Sequence, residues 1–224
     1  MEKSSIRCIG FIMDGNRRFA KEQGLQALDG HQRGGEVMRD SIRWVKEAGI
    51  KHAVYYAFST ENWKRSAEEV SYLMHLFKNE LVKMPEKDIR VRIIGRREDF
   101  SDDLQQLMNE LEKKSEGYQN TDTTVWIALS YGGRAEILEA VNRAVSAGEL
   151  VSEESFEKLL WTKDMPDPDM IVRTGGERRL SNFLTWRSVY SELYFTDIYW
   201  PALTKSDFND ILKEYETRER RRGV

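Results

Sequence analysis

Six short apolar runs punctuate the chain, at 6–13, 52–58, 89–94, 124–129, 170–172 and 193–195, each rich in β-branched or aromatic residues. Several are apolar at consecutive rather than alternate positions, as strands buried on both faces should be. Between them apolar residues recur with helical spacing, over 33–48, 67–84, 98–118 and 134–150. The second of these carries Val70, Leu73, Met74, Phe77 and Leu81 on one stripe. Strand and helix alternate almost throughout, which predicts an α/β fold: a single domain with a mainly parallel six-stranded sheet flanked by helices on both faces. Four prolines and the lack of any Ser/Gly-rich tract leave no candidate linker. Pro166 and Pro168 mark a loop entering the fifth strand. The tail 213–222 is helix-compatible and becomes basic at its end, either a solvated last turn or an anion-binding arm.

Composition narrows the function classes. The 224 residues carry 35 Lys and Arg against 38 Asp and Glu, a formal charge of −3. There is no global positive field, and no nucleic-acid partner is expected. A single cysteine, Cys8, excludes an internal disulfide framework and a Cys-based zinc cage, and it fits a reducing, cytoplasmic setting. No window approaches the roughly 18 apolar residues of a spanning helix, and the first residues lack a secretory apolar core, so the chain is expected neither to cross a membrane nor to be secreted. GxxxxGK[ST], GxGxxG and HExxH are all missing, which argues against P-loop, dinucleotide and zincin chemistry. The DDxxD pattern of trans-prenyl synthases is missing too.

In an open α/β sheet the working rim lies at the strands' carboxyl ends. The first strand runs into Asp14, Gly15, Asn16, Arg17 and Arg18, which suits a phosphate at a helix start beside an oxygen ligand for a hard cation. An Asx-turn with a cap and solvated arginines is the plainer reading. The second strand ends in Ser59, Thr60, Glu61, Asn62, Trp63, Lys64 and Arg65, where a large aromatic among polar groups suggests a lined pocket. The fifth ends in Arg173, Thr174, a glycine pair, Glu177, Arg178, Arg179, Leu180 and Ser181. That is a second arginine-rich anion site, with Ser181 placed to cap a following helix. Glu192 enters the sixth strand, a costly place for a carboxylate unless it is ion-paired or metal-bound. His31 follows Gly30 as a phosphate donor or a structural histidine.

The stretches IMDGNRRFA, GHQRGG, YYAFSTENWKR, LSYGGR, DMIVRTGGERRLSNFLTWRSVYSELYFTD and RERRRG, collinear over about 9–223, resemble the cis-prenyltransferase family, typified by undecaprenyl diphosphate synthase. The resemblance implies a transferase fold and an enzyme that extends an allylic diphosphate, usually farnesyl diphosphate, with isopentenyl diphosphate, assisted by Mg²⁺. It implies Asp14 as the carboxylate bringing Mg²⁺ to the allylic diphosphate, with Gly15, Asn16, Arg17, Arg18, Phe19 and His31 around that substrate. Ser59, Thr60, Glu61, Asn62, Trp63 and Arg65 fall in the second signature block. Asn62 matches the residue assigned to proton removal, but an amide is a poor base, so it is expected to orient isopentenyl diphosphate while phosphate or water takes the proton. Arg173, Arg179, Leu180 and Ser181 match the isopentenyl diphosphate site, and Glu192 matches a second metal carboxylate. The Val70 to Leu81 stripe becomes the wall of a dry tunnel for the growing chain.

The resemblance further implies a homodimer in which Arg221 and Gly223 reach the partner's site, and an enzyme at the inner face of the membrane, touching it through its lipid product. The chain departs from the family pattern at several points. Ala27 stands where an arginine is usual, a loss for which Arg17, in a common glycine position, is expected to compensate. Phe19 replaces a common Trp, Ser66 a Pro and Arg178 a His. A shorter segment after the 67–84 helix, and bulky Tyr72, are expected to shorten the tunnel. The alternatives are a short-chain, medium-chain or head-to-middle synthase, or a non-catalytic partner subunit.

Overall fold

A computed structural model of the chain describes residues 4–84, 88–119 and 121–218. All six apolar runs form strands of one sheet: β1 Cys8–Ile12, β2 His52–Ser59, β3 Ile89–Ile94, β4 Thr123–Tyr131, β5 Met170–Arg173 and β6 Glu192–Phe195. Their order is β3-β4-β2-β1-β5-β6, and every neighbouring pair is parallel. Helices α1 Asn16–Glu22, α2 Ala27–Glu47, α3 Ala67–Lys83, α4 Asp102–Glu116, α5 Gly133–Ala147, α6 Glu153–Glu157 and α7 Lys205–Thr217 complete the chain.

Where these bounds depart from the periodicity, local chemistry explains it. Helix α2 starts six residues before the 33–48 stripe, because Gln26 and Asp29 form a capping box in which the Asp29 carboxylate accepts the Gln26 N–H at 3.0 Å. The helix expected after Ser181 does not form. Ser181, Asn182 and Leu184 adopt positive φ of 49°, 66° and 46°, and the segment is pinned to the start of α5 instead. There the Asn182 carbonyl accepts the Gly133 N–H at 2.7 Å, and its side-chain oxygen accepts the Arg134 N–H at 2.9 Å.

One face of the sheet packs Ile9, Phe11, Tyr55 and Val125 against α2, α3, α4 and α7, forming the larger core. The other face packs Cys8, Val54, Tyr56 and Ala128 against Phe183, Leu184 and Met165, with α5 and α6 outside. Burial pushes the Cys8 thiol well up, which leaves it unreactive. Edge strand β3 is covered by α4, whose Ser115 hydroxyl and Glu112 carboxylate accept the N–H groups of Val91 and Ile93 at 3.0 and 2.7 Å. Among the described residues no helix is long and apolar enough to cross a membrane.

The order of the strands locates the site. From β1 the chain goes to β2 on one side, and later it returns to place β5 on the other. The crevice beyond the carboxyl ends of β1 and β5 is therefore the topological switch point, where open α/β sheets bind ligands.

Candidate active site

Ile12 and Arg173 are register partners, so the ends of β1 and β5 deliver Asp14 and Arg173 to the same spot. Arg173 is 4% exposed and its guanidinium lies 2.9 Å from Asp14 Oδ2, while Oδ1 accepts the Gly15 N–H at 2.7 Å and lies 3.1 Å from Arg18. Arg173 also donates to the Ser181 hydroxyl at 2.7 Å and to the Arg179 carbonyl, which ties the loop after β5 to the loop after β1. Burial alone would raise the Asp14 carboxyl. The hydrogen bond and charge of Arg173, the charge of Arg18 and the Gly15 N–H outweigh it and hold the group below the ordinary carboxylate value. Asp14 is thus an anion fixed between cationic arms.

Gly15 makes the turn from β1 into α1 possible. Its φ is +105°, and a Cβ there would lie 2.6 Å from Tyr199 Cδ1 and 3.0 Å from the Tyr199 Cα. Gly15→Ala is expected to cost about 2 kcal/mol of stability through backbone strain and to displace Asp14. A thermal melt that falls by several degrees together with lost catalytic turnover is the expected result; an unchanged melt would contradict it.

The second cluster hangs on the turn Thr60–Lys64 after β2. Asn62 Oδ1 accepts the Ser59 N–H at 3.1 Å, which leaves the amide NH₂ to donate. Glu61 accepts from Asn182 Nδ2 at 2.9 Å, linking this turn to the loop after β5. Sequence reasoning missed Asn182, because its role arises from its positive φ and from contacts with two distant loops. It also missed Glu69, the hub of the basic side chains at this edge: Arg65 at 2.9 Å, His31 at 3.3 Å and Arg17 at 3.8 Å. The one available signal was the Ser66-x-x-Glu69 cap pattern, in which the Ser66 hydroxyl accepts the Glu69 N–H at 3.3 Å. That contact also accounts for Ser66 at the head of α3. Burial and the charge of Arg65 push the His31 imidazole down despite Glu69, so it is neutral near pH 7.

Below these groups lies a cavity of about 670 Å³ between α2 and α3. Its mouth is polar, with Asp14, His31, Asn62, Arg65, Arg173, Arg179 and Ser181, and its interior is apolar, with Met38, Leu73, Leu76, Phe77, Leu81 and Ile127. Two arginine-rich clusters above an apolar slot can hold two phosphorylated head groups and one hydrocarbon tail.

Several expected placements differ. Leu73, Phe77 and Leu81 line the cavity, whereas Val70 and Met74 do not; Leu76 and Glu80 do instead, so the lining follows the adjacent helical stripe Leu73, Leu76, Phe77, Glu80. Tyr72 lies outside the slot, donating to the Leu28 carbonyl at 3.2 Å. Trp63 points away from the rim cavity. It donates to the Ser130 hydroxyl at 2.8 Å, stacks edge-on against Phe58, and with Thr60 borders a separate hollow beside Arg96 and Asp99. Arg17, Arg18 and Phe19 sit on α1 beside the cavity rather than in its lining, and Leu180 packs on the core of the opposite face.

Glu192 is not brought to Asp14 within one chain. Through Met170 it is level with Ile9, roughly 15 Å below Asp14 along the parallel strands, and it pairs with Arg218 at 3.2 Å. Among the described residues no group of three His, Cys, Asp or Glu side chains could hold a metal by itself. Arg221 and Gly223 lie outside the described residues.

Residues 12–223 match the family model described as "Putative undecaprenyl diphosphate synthase". The isoprenyl transferase of Thermotoga maritima is 46% identical over 224 residues, covering 96% of this chain and 95% of that protein. That of Fusobacterium nucleatum is 45% identical, covering 100% and 98%. Among solved structures, lavandulyl diphosphate synthase from Lavandula x intermedia, in complex with dimethylallyl diphosphate, superposes with a TM-score of 0.92 at 31% identity, covering 98% of this chain and 99% of that one. A "probable undecaprenyl diphosphate synthase" from Campylobacter jejuni gives 0.82 at 31% identity with the same coverage.

Proposed function

The chain belongs to the undecaprenyl diphosphate synthase family of isoprenyl transferases, and from that premise we propose a Mg²⁺-dependent cis-prenyl diphosphate synthase that adds isopentenyl diphosphate to an allylic diphosphate. The starter in this reading is farnesyl diphosphate and the product a polyprenyl diphosphate of the undecaprenyl type. The observation that carries it is the Asp14–Arg173 pair, 2.9 Å apart, at the mouth of an apolar slot of about 670 Å³.

The residues present fit Mg²⁺. This ion is usually held by one or two carboxylates together with substrate phosphates, and Asp14 is an ionised carboxylate beside arginines suited to those phosphates. Bound there, the ion would supply neutralisation of the charge that develops on the departing diphosphate. In the condensation the allylic C–O bond breaks, diphosphate leaves, a C–C bond forms to the terminal alkene carbon of isopentenyl diphosphate, and one proton is lost. Arg173, Arg179 and Ser181 hold the isopentenyl head group. Arg18, Arg17 and the first-turn N–H groups of α1 receive the allylic head group, with Arg17 taking up the work of the arginine absent at Ala27. Asn62 donates to a phosphate or water that accepts the proton, since an amide cannot. Met38, Leu73 and Phe77 exclude water from the tail.

A second reading, a short-chain synthase, is favoured by the 0.92 superposition on lavandulyl diphosphate synthase with its dimethylallyl diphosphate. One experiment separates the readings. Purified protein is incubated with isopentenyl diphosphate and either farnesyl or dimethylallyl diphosphate, with Mg²⁺ or with chelator. Long products from farnesyl diphosphate, abolished by chelator and restored by Mg²⁺, are expected. Products only from dimethylallyl diphosphate favour the short-chain reading, and no product from either starter overturns catalysis.

A further inference from the structure

In the loop after β5, Ser181, Asn182 and Leu184 all adopt positive φ, and none of them is a glycine. Each such residue costs energy, so the conformation persists only where neighbouring contacts outweigh that cost. The contacts come from three other segments. The buried Tyr56 hydroxyl, on β2, reaches the Ser181 carbonyl at 3.2 Å, and the Asn182 carbonyl accepts the Gly133 N–H at 2.7 Å. The Asn182 side chain makes the remaining two. Its Oδ1 accepts the Arg134 N–H and its Nδ2 donates to Glu61 Oε1, both at 2.9 Å, so a group that only donates and a carboxylate that only accepts fix which way the amide faces. Gly132 makes the approach possible: a Cβ there would stand 2.7 Å from both Asn182 Nδ2 and Thr60 Oγ1. Glu61, Asn62, Ser181 and Asn182 all face the cavity mouth.

We infer that Asn182 is a positioning residue, which through Glu61 holds Asn62 at a fixed distance from the isopentenyl head group. The connection is short at both ends. Glu61 directly precedes Asn62 in the Thr60–Lys64 turn, and Asn182 directly follows Ser181, whose hydroxyl accepts from Arg173 at 2.7 Å. The Asn182–Glu61 bond therefore ties the loop that anchors isopentenyl diphosphate to the turn that orients the acceptor of its proton. Breaking it leaves Arg173 and Ser181 on the head group but frees the turn to shift, and a small misplacement of a reacting group lowers rate more than affinity. This role rests on the proposed synthase activity and adds to it the contact that aligns its two halves.

The test is a double-mutant cycle between positions 61 and 182, read by steady-state condensation kinetics with farnesyl diphosphate, isopentenyl diphosphate and Mg²⁺. N182D keeps the shape and the contact with the Arg134 N–H but sets a second carboxylate against Glu61. E61Q keeps an oxygen for the Asn182 amide to donate to, and in E61Q/N182D the introduced amide donates to the introduced carboxylate. N182D is expected to lower kcat about tenfold in the wild-type background and no more than about twofold in the E61Q background, with KM for farnesyl diphosphate unchanged. An equal loss in both backgrounds, as a purely structural role would give, overturns the inference, and so does an undiminished kcat in N182D. If circular dichroism shows that N182D does not fold, E61A takes its place, because it removes the acceptor and leaves Asn182 on Arg134; undiminished kcat in E61A overturns the inference. Absence of any condensation product from the wild type is a different result, which removes the synthase reading itself and the inference with it.

Discussion

Asp14→Asn is expected to lower kcat/KM for condensation by about 10³-fold or more, equivalent to about 4 kcal/mol of transition-state stabilisation, with the secondary structure retained. The amide keeps the shape of the carboxylate but removes the charge that Arg173 and Arg18 face at 2.9 and 3.1 Å, and with it the carboxylate that the proposed reading assigns to Mg²⁺. The pH dependence follows from the same contacts. The folded carboxyl titrates below its ordinary value, so Asp14 stays ionised as the pH falls through the usual carboxylate range. Its contribution to stability is complete above the unfolded pKa of about 3.9 and is lost as the pH falls through the lower folded value. A steady-state assay with circular dichroism checks the prediction, and full turnover in Asp14→Asn would remove the carboxylate from the mechanism.

The second large effect is expected at Arg173. Its side chain is 4% exposed, and its fork reaches Asp14, the Arg179 carbonyl and the Ser181 hydroxyl at once. A lysine is a point charge that cannot span those three directions. Arg173→Lys is therefore expected to lower kcat/KM by about 10²-fold, chiefly through a raised KM for isopentenyl diphosphate. Arg173→Met removes the positive partner of a half-buried carboxylate and is expected to cost about 3 kcal/mol of stability as well. Denaturant titration beside substrate-dependence kinetics separates the two losses. Wild-type KM in both variants would show that Arg173 serves the fold alone.

The central strands were legible because burial on both faces writes consecutive apolar residues, and all six runs became strands within two residues of their ends. The order of those strands was not legible, since periodicity carries no information about pairing. Asp14 and Arg173 are 159 residues apart in sequence, and only the β1–β5 register makes them neighbours. For the same reason Glu192 read naturally as a companion of Asp14. Both stand at strand ends, but one enters its strand and the other follows its strand, so a parallel sheet places them at opposite rims. Trp63 misled through its company. Its polar neighbours along the chain face the cavity, while its own ring turns inward to Phe58 and Phe100. Asn182 gave no signal, and the cap pattern that marks Glu69 says nothing of its role as a hub, because a hub is defined by what converges on it from other elements.

The central claim is that two diphosphate groups lie side by side beyond β1 and β5, with one tail descending between α2 and α3. The most direct measurement is a crystal structure of the protein with Mg²⁺, isopentenyl diphosphate and an unreactive thio-analogue of farnesyl diphosphate. The account predicts one diphosphate on Arg173, Arg179 and Ser181, the other at Asp14 and the start of α1, and the farnesyl chain against Leu73 and Phe77. Head groups bound away from Asp14 and Arg173, or a tail lying outside the α2–α3 slot, would contradict it.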